Sequence, residues 1–172
     1  MKTIKVILGI IIGLSLVFFA TGLVVKETTY TTQVIIEKPV KEVFKTFNTE
    51  GLVKEWIPDL IAIKPLETKP GKVGSTYEMI INNNGQEIKL VEKVLAYVPE
   101  EKVTLFFKAD SMLKTDDYTF TFENDKTTIV NKSTCRGSSY ILSCLFPYFK
   151  GTFQEQDQGY LNNFKSYIET NK

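Results

Sequence analysis

The C-terminal stretch LFPYFKGTFQEQDQGYLNNFKSYIETNK, residues 145–172, constrains this chain more than any other. Leu145, Phe149, Phe153, Tyr160, Leu161, Phe164, Tyr167 and Ile168 recur mostly at steps of three, four or seven, the spacing of one helix face. Gln154, Glu155, Gln158, Asn162, Lys165 and Glu169 fill the opposite side. The pattern predicts one long helix from Leu145 to Lys172, with Pro147 in its first turn, where a missing N–H costs nothing. So much aromatic surface on one side needs a large apolar partner, and the sequence upstream reads as a strongly curved sheet. A helix gripped by a sheet leaves room for a pocket between them.

The other end of the chain sets a second constraint. Lys2 and Lys5 precede an uncharged run from Val6 to Val25, closed by Lys26 and Glu27. A helix of about 20 such residues rises roughly 30 Å, enough to cross a bilayer core. A cleavable signal segment competes with a retained anchor, because Ala20-Thr21-Gly22 offers small residues at a suitable place. The apolar run continues past that site, which favours a single-pass anchor touching the membrane through residues 4–25. The basic tip points the following domain out of the cytoplasm, although Lys26, Lys38, Lys41 and Lys45 count on the other side. Residues 1–27 are thus expected to be an anchor or signal segment, and residues 28–172 one domain.

Between these ends, Thr28–Glu37 alternates and is β-branched, a first strand. Pro39 opens a helix with Val40, Val43, Phe44 and Phe47 on one face, and a second short helix runs through Leu52, Val53 and Trp56 to Pro58. Strands are then expected at 61–68, broken by Pro65 and so bulged or at an edge, and at 75–81, 87–97, 102–108, 117–123 and 127–136. Asn82-Asn83-Asn84-Gly85 marks a hairpin. Helices segregated from an antiparallel sheet define an α+β domain.

Composition removes several function classes. With 21 Lys+Arg against 20 Asp+Glu, and Arg136 the sole arginine, no nucleic-acid partner is expected. There is no histidine, hence neither the commonest general base nor the commonest metal ligand. Ser138, Ser139 and Ser143 have no base to activate them, and Gly51, Gly71, Gly74 and Gly85 make no phosphate loop. No catalytic residue, metal or cofactor is assigned. Cys135 and Cys144 read either as small apolar residues or as a disulfide pair, which sequence leaves open.

Taken in order, VIIEKPVKEVFKTFNTEGLVKEWIP (34–58), GKVGSTYEM (71–79), VEKVLAYVPEEKVTLFF (91–107), YTFTFENDKTTIVNKST (118–134) and YLNNFKSYIE (160–169) resemble the START/Bet v 1-like SRPBCC superfamily, also described as the polyketide cyclase/dehydrase and lipid transport family. The resemblance implies a helix-grip fold: a curved antiparallel sheet wrapped around the C-terminal helix, with a hydrophobic cavity between them. Its function is not implied, because this fold hosts lipid carriers, cyclases, hydrolase-like members and co-chaperone modules.

Alternation along the strands nominates cavity walls. Trp56, Tyr77, Met79, Glu92, Tyr118, Phe120, Phe122, Phe149 and Phe153 are the candidate ligand-binding residues, each with burial in a solid core or exposure as the competing reading. Ile81, Tyr160 and Phe164 join them, with either Leu105 and Phe107 or Thr104 and Phe106. Glu92 stands between Leu90 and Val94 and is either a buried carboxylate of raised pKa or exposed by a strand slip. Arg136 is read as a ligand-anion contact or a surface residue, and Asp116-Asp117 as a solvated turn. The leading expectation is a membrane-tethered, non-catalytic binding or transport domain for a lipid-like or other hydrophobic small molecule. A protein-interaction module resembling chaperone activators, with a protein partner at the membrane, is one alternative. A cyclase/aromatase-like enzyme using tyrosines and a buried carboxylate is the other.

Overall fold

A computed structural model describes residues 2–83 and 85–170. Helix α1, Lys2–Val24, is long and apolar enough to cross a membrane and has no buried residue. Strand β1, Thr28–Ile36, follows after three residues, and buries every second side chain along its length, as its alternating sequence requires. Helix α2, Val40–Phe47, buries Val43, Phe44 and Phe47, and a 3₁₀ turn at Glu50–Glu55 replaces the expected second short helix. Six strands follow: β2 Leu60–Glu67, β3 Thr76–Asn83, β4 Gln86–Val98, β5 Lys102–Lys108, β6 Met112–Glu123 and β7 Lys126–Gly137.

They form one antiparallel sheet in the order β1-β7-β6-β5-β4-β3-β2. Pro65 lies in the edge strand β2, where register shifts flank it, because a residue without an N–H cannot serve a central ladder. The β3–β4 hairpin closes with Asn83 opposite Gln86 and Gly85 at φ +88°; Asn84, part of the expected turn signal, lies outside the described residues.

The C-terminal helix corrects the sequence reading. Residues 140–149 form a separate short helix α3, Tyr140–Leu145, capped by Ser139, and a 3₁₀ turn at Phe146–Phe149. Only then does α4 run from Lys150 to Thr170, with Asn171 and Lys172 outside the described residues. Pro147 has no N–H to offer Ser143, so it interrupts the helical ladder instead of opening it.

Helix α4 lies along the edge strand β1 and serves its unpaired backbone. Gln158 Nε2 donates to Gln33 O at 2.9 Å while Gln33 N donates to Gln158 Oε1 at 3.1 Å. Gln154 Nε2 donates to Thr31 O at 3.0 Å, and Glu37 N donates to Glu169 Oε1 at 2.9 Å. Four helical residues rise about 6 Å and two strand residues about 6.6 Å, so Gln154 and Gln158 keep step with Thr31 and Gln33. Helix side chains thereby close an edge that would otherwise be open to another strand. Because α4 leans on β1, the concave face of β3–β6 is left for a cavity.

Candidate functional site

The cavity measures about 210 Å³, far more than the ~10–15 Å³ that one water needs. Alternate residues of four strands make its wall: Tyr77, Met79 and Ile81 of β3; Leu90, Glu92 and Val94 of β4; Val103, Leu105 and Phe107 of β5; Met112, Lys114, Asp116 and Tyr118 of β6. Gln156, Asp157 and Tyr160 of α4 stand opposite, and Phe47, Val53 and Trp56 close one side. Lys72, in the loop before β3, donates to Asn48 O at 3.1 Å and sits 5.0 Å over the Tyr97 ring, so it ties that loop to the end of α2.

Most of this wall is apolar, and its polar groups gather at one place. Lys114 Nζ lies 2.7 Å from Asp157 Oδ2 and 2.9 Å from Asp116 Oδ2, one cation between two buried carboxylates. Tyr30 Oη donates to Asp157 Oδ2 at 2.8 Å and Ser133 Oγ donates to it at 3.1 Å. Asn131 Nδ2 supports Ser133 Oγ at 3.0 Å. Asp116 also interacts with the Tyr118 hydroxyl and with Ser133, and its Oδ1 keeps capacity to accept a further hydrogen bond.

Burial alone would push Lys114 down, but Asp116 and Asp157 outweigh it and hold the ammonium well above the usual lysine range. Burial raises Asp116, against the pull of Lys114. Tyr118 is driven far up by burial and by the two aspartates, and Tyr30 by burial and Asp157. Glu92 is pushed up to about 7, first by burial and then by Glu50 and Asp116, with Lys72 opposing. A carboxyl poised there donates a hydrogen bond below neutral pH and accepts one above it. The site therefore offers an apolar chamber, a fixed ion cluster, a carboxylate oxygen with capacity for a further donor and a proton that moves near neutrality.

Of the residues nominated from sequence, Trp56, Tyr77, Met79, Glu92 and Tyr118 line this chamber, with Ile81, Leu105, Phe107 and Tyr160. The strand-slip reading of Glu92 is thus replaced by an inward-facing carboxyl, and Leu105 with Phe107 displaces the Thr104–Phe106 phase. Four others lie elsewhere. Phe120 continues the same β6 alternation past the chamber and packs in the dry core, its ring 4.9 Å from that of Phe44 and 5.5 Å from that of Phe47. Phe122, one step further, has run beyond the covering helices and is exposed. Phe149 is exposed in the 3₁₀ turn, and Phe153 packs on Phe146 at 5.2 Å in a small cluster with Tyr30 and Cys135. Phe164 is also core, against Phe47 and Trp56.

Asp116 is the plainest correction: it is a buried residue of β6, not a solvated turn. Lys114, Asp116 and Asp157 are missing from the sequence candidates. Counting back by twos from Tyr118 finds the first two, since Met112, Lys114, Asp116 and Tyr118 share a face. Asp157 fills the one missing four-residue step in the α4 stripe, between Phe153 and Leu161. Arg136 is exposed. Cys135 and Cys144 are both buried and free, Cys135 beside Tyr30 and Cys144 beside α1, so no disulfide joins them.

No protein-family model and no curated protein matches the chain by sequence. By structure it is similar to Ara h 8.0201 (TM-score 0.68, 13% identity, 84% of this chain and 99% of that one). It is also similar to TTHA0849 from Thermus thermophilus (TM-score 0.70, 13% identity, 83% and 97%) and to the ZhuI aromatase/cyclase from Streptomyces sp. R1128 (TM-score 0.68, 11% identity, 83% and 94%). At these identities the likeness is one of fold. Residues from β1 to α4 have the helix-grip fold of Bet v 1-like and SRPBCC proteins.

Proposed function

Taking the helix-grip fold as premise, we propose that this chain is a membrane-anchored, non-catalytic binding or transport domain for a lipid-like or other hydrophobic small molecule. Residues 1–27 serve as the anchor and residues 28–172 as the binding domain. The observation that carries this reading is the apolar chamber of about 210 Å³ between α4 and strands β3–β6. A concave apolar pocket with few convergent polar groups is the usual form of a small-molecule site. Apolar burial, worth roughly 25 cal/mol per Å² before the costs of association, supplies affinity. Asp116 Oδ1 and Glu92 supply orientation, selecting a ligand with a hydroxyl or similar donor on an apolar body.

Native mass spectrometry of the full chain released from detergent, followed by solvent extraction, tests this. A reproducible apolar mass carrying a hydroxyl or amine supports the reading. An empty protein, with no gain in melting temperature across a panel of lipids and polyphenols, contradicts it.

A second reading is an acid–base enzyme of the cyclase kind, favoured by the Glu92 proton near neutrality and the Tyr77 and Tyr118 hydroxyls on the same chamber. Turnover of polyketide-like substrates that is lost in Glu92→Gln would establish it; turnover unchanged by Glu92→Gln and Tyr118→Phe excludes those roles.

A further inference from the structure

Residues 140–149, YILSCLFPYF, contain no charge, yet the fold does not bury their outer side. Ile141 is 59% and Tyr148 60% exposed, and Tyr140 and Phe149 are open as well. Exposed apolar groups grouped like this mark a contact surface. What covers them is indicated by the helix packed along one flank.

One flank of the segment, with Tyr140, Cys144 and Tyr148, packs on the last turns of α1. Tyr140 Oη donates to Phe19 O at 2.6 Å, and the Thr21 and Tyr148 hydroxyls are 3.0 Å apart. The Phe18 ring stacks on Tyr148 and the Phe19 ring on Tyr140. Any Cβ at Gly22 would collide with Cys144 Sγ, so a glycine is what allows the two helices to meet. Only Val25, Lys26 and Glu27 connect α1 to β1, a reach of about 10 Å. Thr28 pairs with Cys135, so β7 delivers α3 to the point where α1 leaves. Gly137 lets the chain fold back there, since a side chain at that position would strike Leu142.

Lys26 ends the uncharged run, and at about 1.5 Å per residue positions 18–22 lie roughly 6–12 Å inward from it, in the outer part of the acyl layer. The segment packed beside them is at the same depth. Tyrosine and tryptophan favour the border between acyl chains and headgroups, and the exposed Arg136 and Lys150 flank the segment in sequence.

We propose that Tyr140–Phe149 is a membrane-docking element that lies in the bilayer interface beside the end of α1, with Ile141 and Phe149 among the acyl chains. The inference rests on the anchor part of the proposed function. It fixes the domain's orientation instead of leaving it to swing on a tether. Leu142 and Phe146 on the inner side of this element pack with Met112, which lines the chamber. The Met112–Lys114 end of the chamber therefore faces the bilayer, and the core around Phe164 points away.

Trp56, the sole tryptophan, is buried in the core and serves as an internal control. The full chain is reconstituted in phosphatidylcholine vesicles with a minor share of phosphatidylglycerol, brominated near either the carbonyl or the methyl end of the acyl chain. Ile141→Trp and, independently, Phe149→Trp are expected to lose emission, more with bromine near the carbonyl end, while the parent protein does not. Leu14→Trp reports on the anchor itself and is expected to be quenched by bromine near the methyl end. Quenching of Leu14→Trp without quenching of either α3-region variant overturns the docking element but keeps the anchor. Absence of quenching in Leu14→Trp removes the anchor and the docking element together. If the two α3-region variants are protected because a second copy covers them, shown by crosslinking, the lipid contact is likewise overturned.

Discussion

Two turns of the same helix are built on opposite terms. Phe164 is fully buried and meets the Phe47 ring at 5.2 Å and the Trp56 ring at 5.3 Å. Asp157, seven residues earlier on the same stripe, is also buried but holds Lys114, Tyr30 and Ser133. Apolar rings can interdigitate until no space is left. Buried charges cannot be covered that way, because each must keep its partners at fixed positions. At Phe164 helix α4 meets the rings of Phe47 and Trp56, and at Asp157 it is tied to β1, β6 and β7 by hydrogen bonds; the chamber lies between, lined by Phe47 and Trp56 as well as by Lys114, Asp116 and Asp157.

The largest expected effect is at Lys114. Lys114→Met leaves two buried carboxylates without their cation and is expected to cost about 4–5 kcal/mol in denaturant unfolding. Adding Asp116→Asn and Asp157→Asn to it should recover most of that loss; failure to recover would mean the lysine acts by packing and not by charge. Phe164→Ala tests the dry end and is expected to cost about 3–4 kcal/mol through the void it leaves. Unlike the lysine change, its cost should be indifferent to pH and salt.

Glu92 sharpens the contrast through pH. Its folded-state pKa, about 7, lies above the ordinary 4.5, so the folded protein binds a proton that the unfolded chain has released. The stability associated with that proton is complete below about pH 4.5 and is lost as pH rises through about 7. Glu92→Gln removes this dependence and should stabilise the protein by about 3 kcal/mol near pH 8 with little effect near pH 4, read from melting curves. A variant that melts with the parent at both values would contradict the inward carboxyl. The smallest effect concerns the outer side of α4. Gln158→Ala should cost about 1 kcal/mol and accelerate hydrogen exchange at the Gln33 amide, leaving the chamber untouched.

The dry half of this comparison is legible in the sequence and the charged half is not. Apolar periodicity marks Phe164, Leu161 and Ile168, and alternation marks Tyr77, Met79 and Tyr118, because burial of apolar groups is what such periodicity reports. Lys114, Asp116 and Asp157 occupy inward positions of those same patterns, and their charge makes them look like surface. A doublet such as Asp116-Asp117 reads as a turn when taken locally; in the strand one carboxylate turns in to Lys114 and the other out to Lys102. The break at Pro147 is ambiguous for a related reason, since proline both opens helices and stops them, and only packing on α1 shows which. Phe122 and Phe149 stand out for being aromatic, yet their exposure depends on where the covering helices end, which no local pattern encodes.

The measurement that bears most directly on the chamber as a binding site is a titration of the extracted ligand class, or of a polarity-sensitive apolar dye, into the full chain and its Leu90→Trp variant. Leu90 lines the chamber on β4 opposite Met79, and an indole there fills space without adding charge. Binding should fall at least about tenfold, equivalent to ~1.4 kcal/mol, while the melting temperature is kept. Equal affinity in a stably folded Leu90→Trp protein would place the ligand elsewhere and contradict the account.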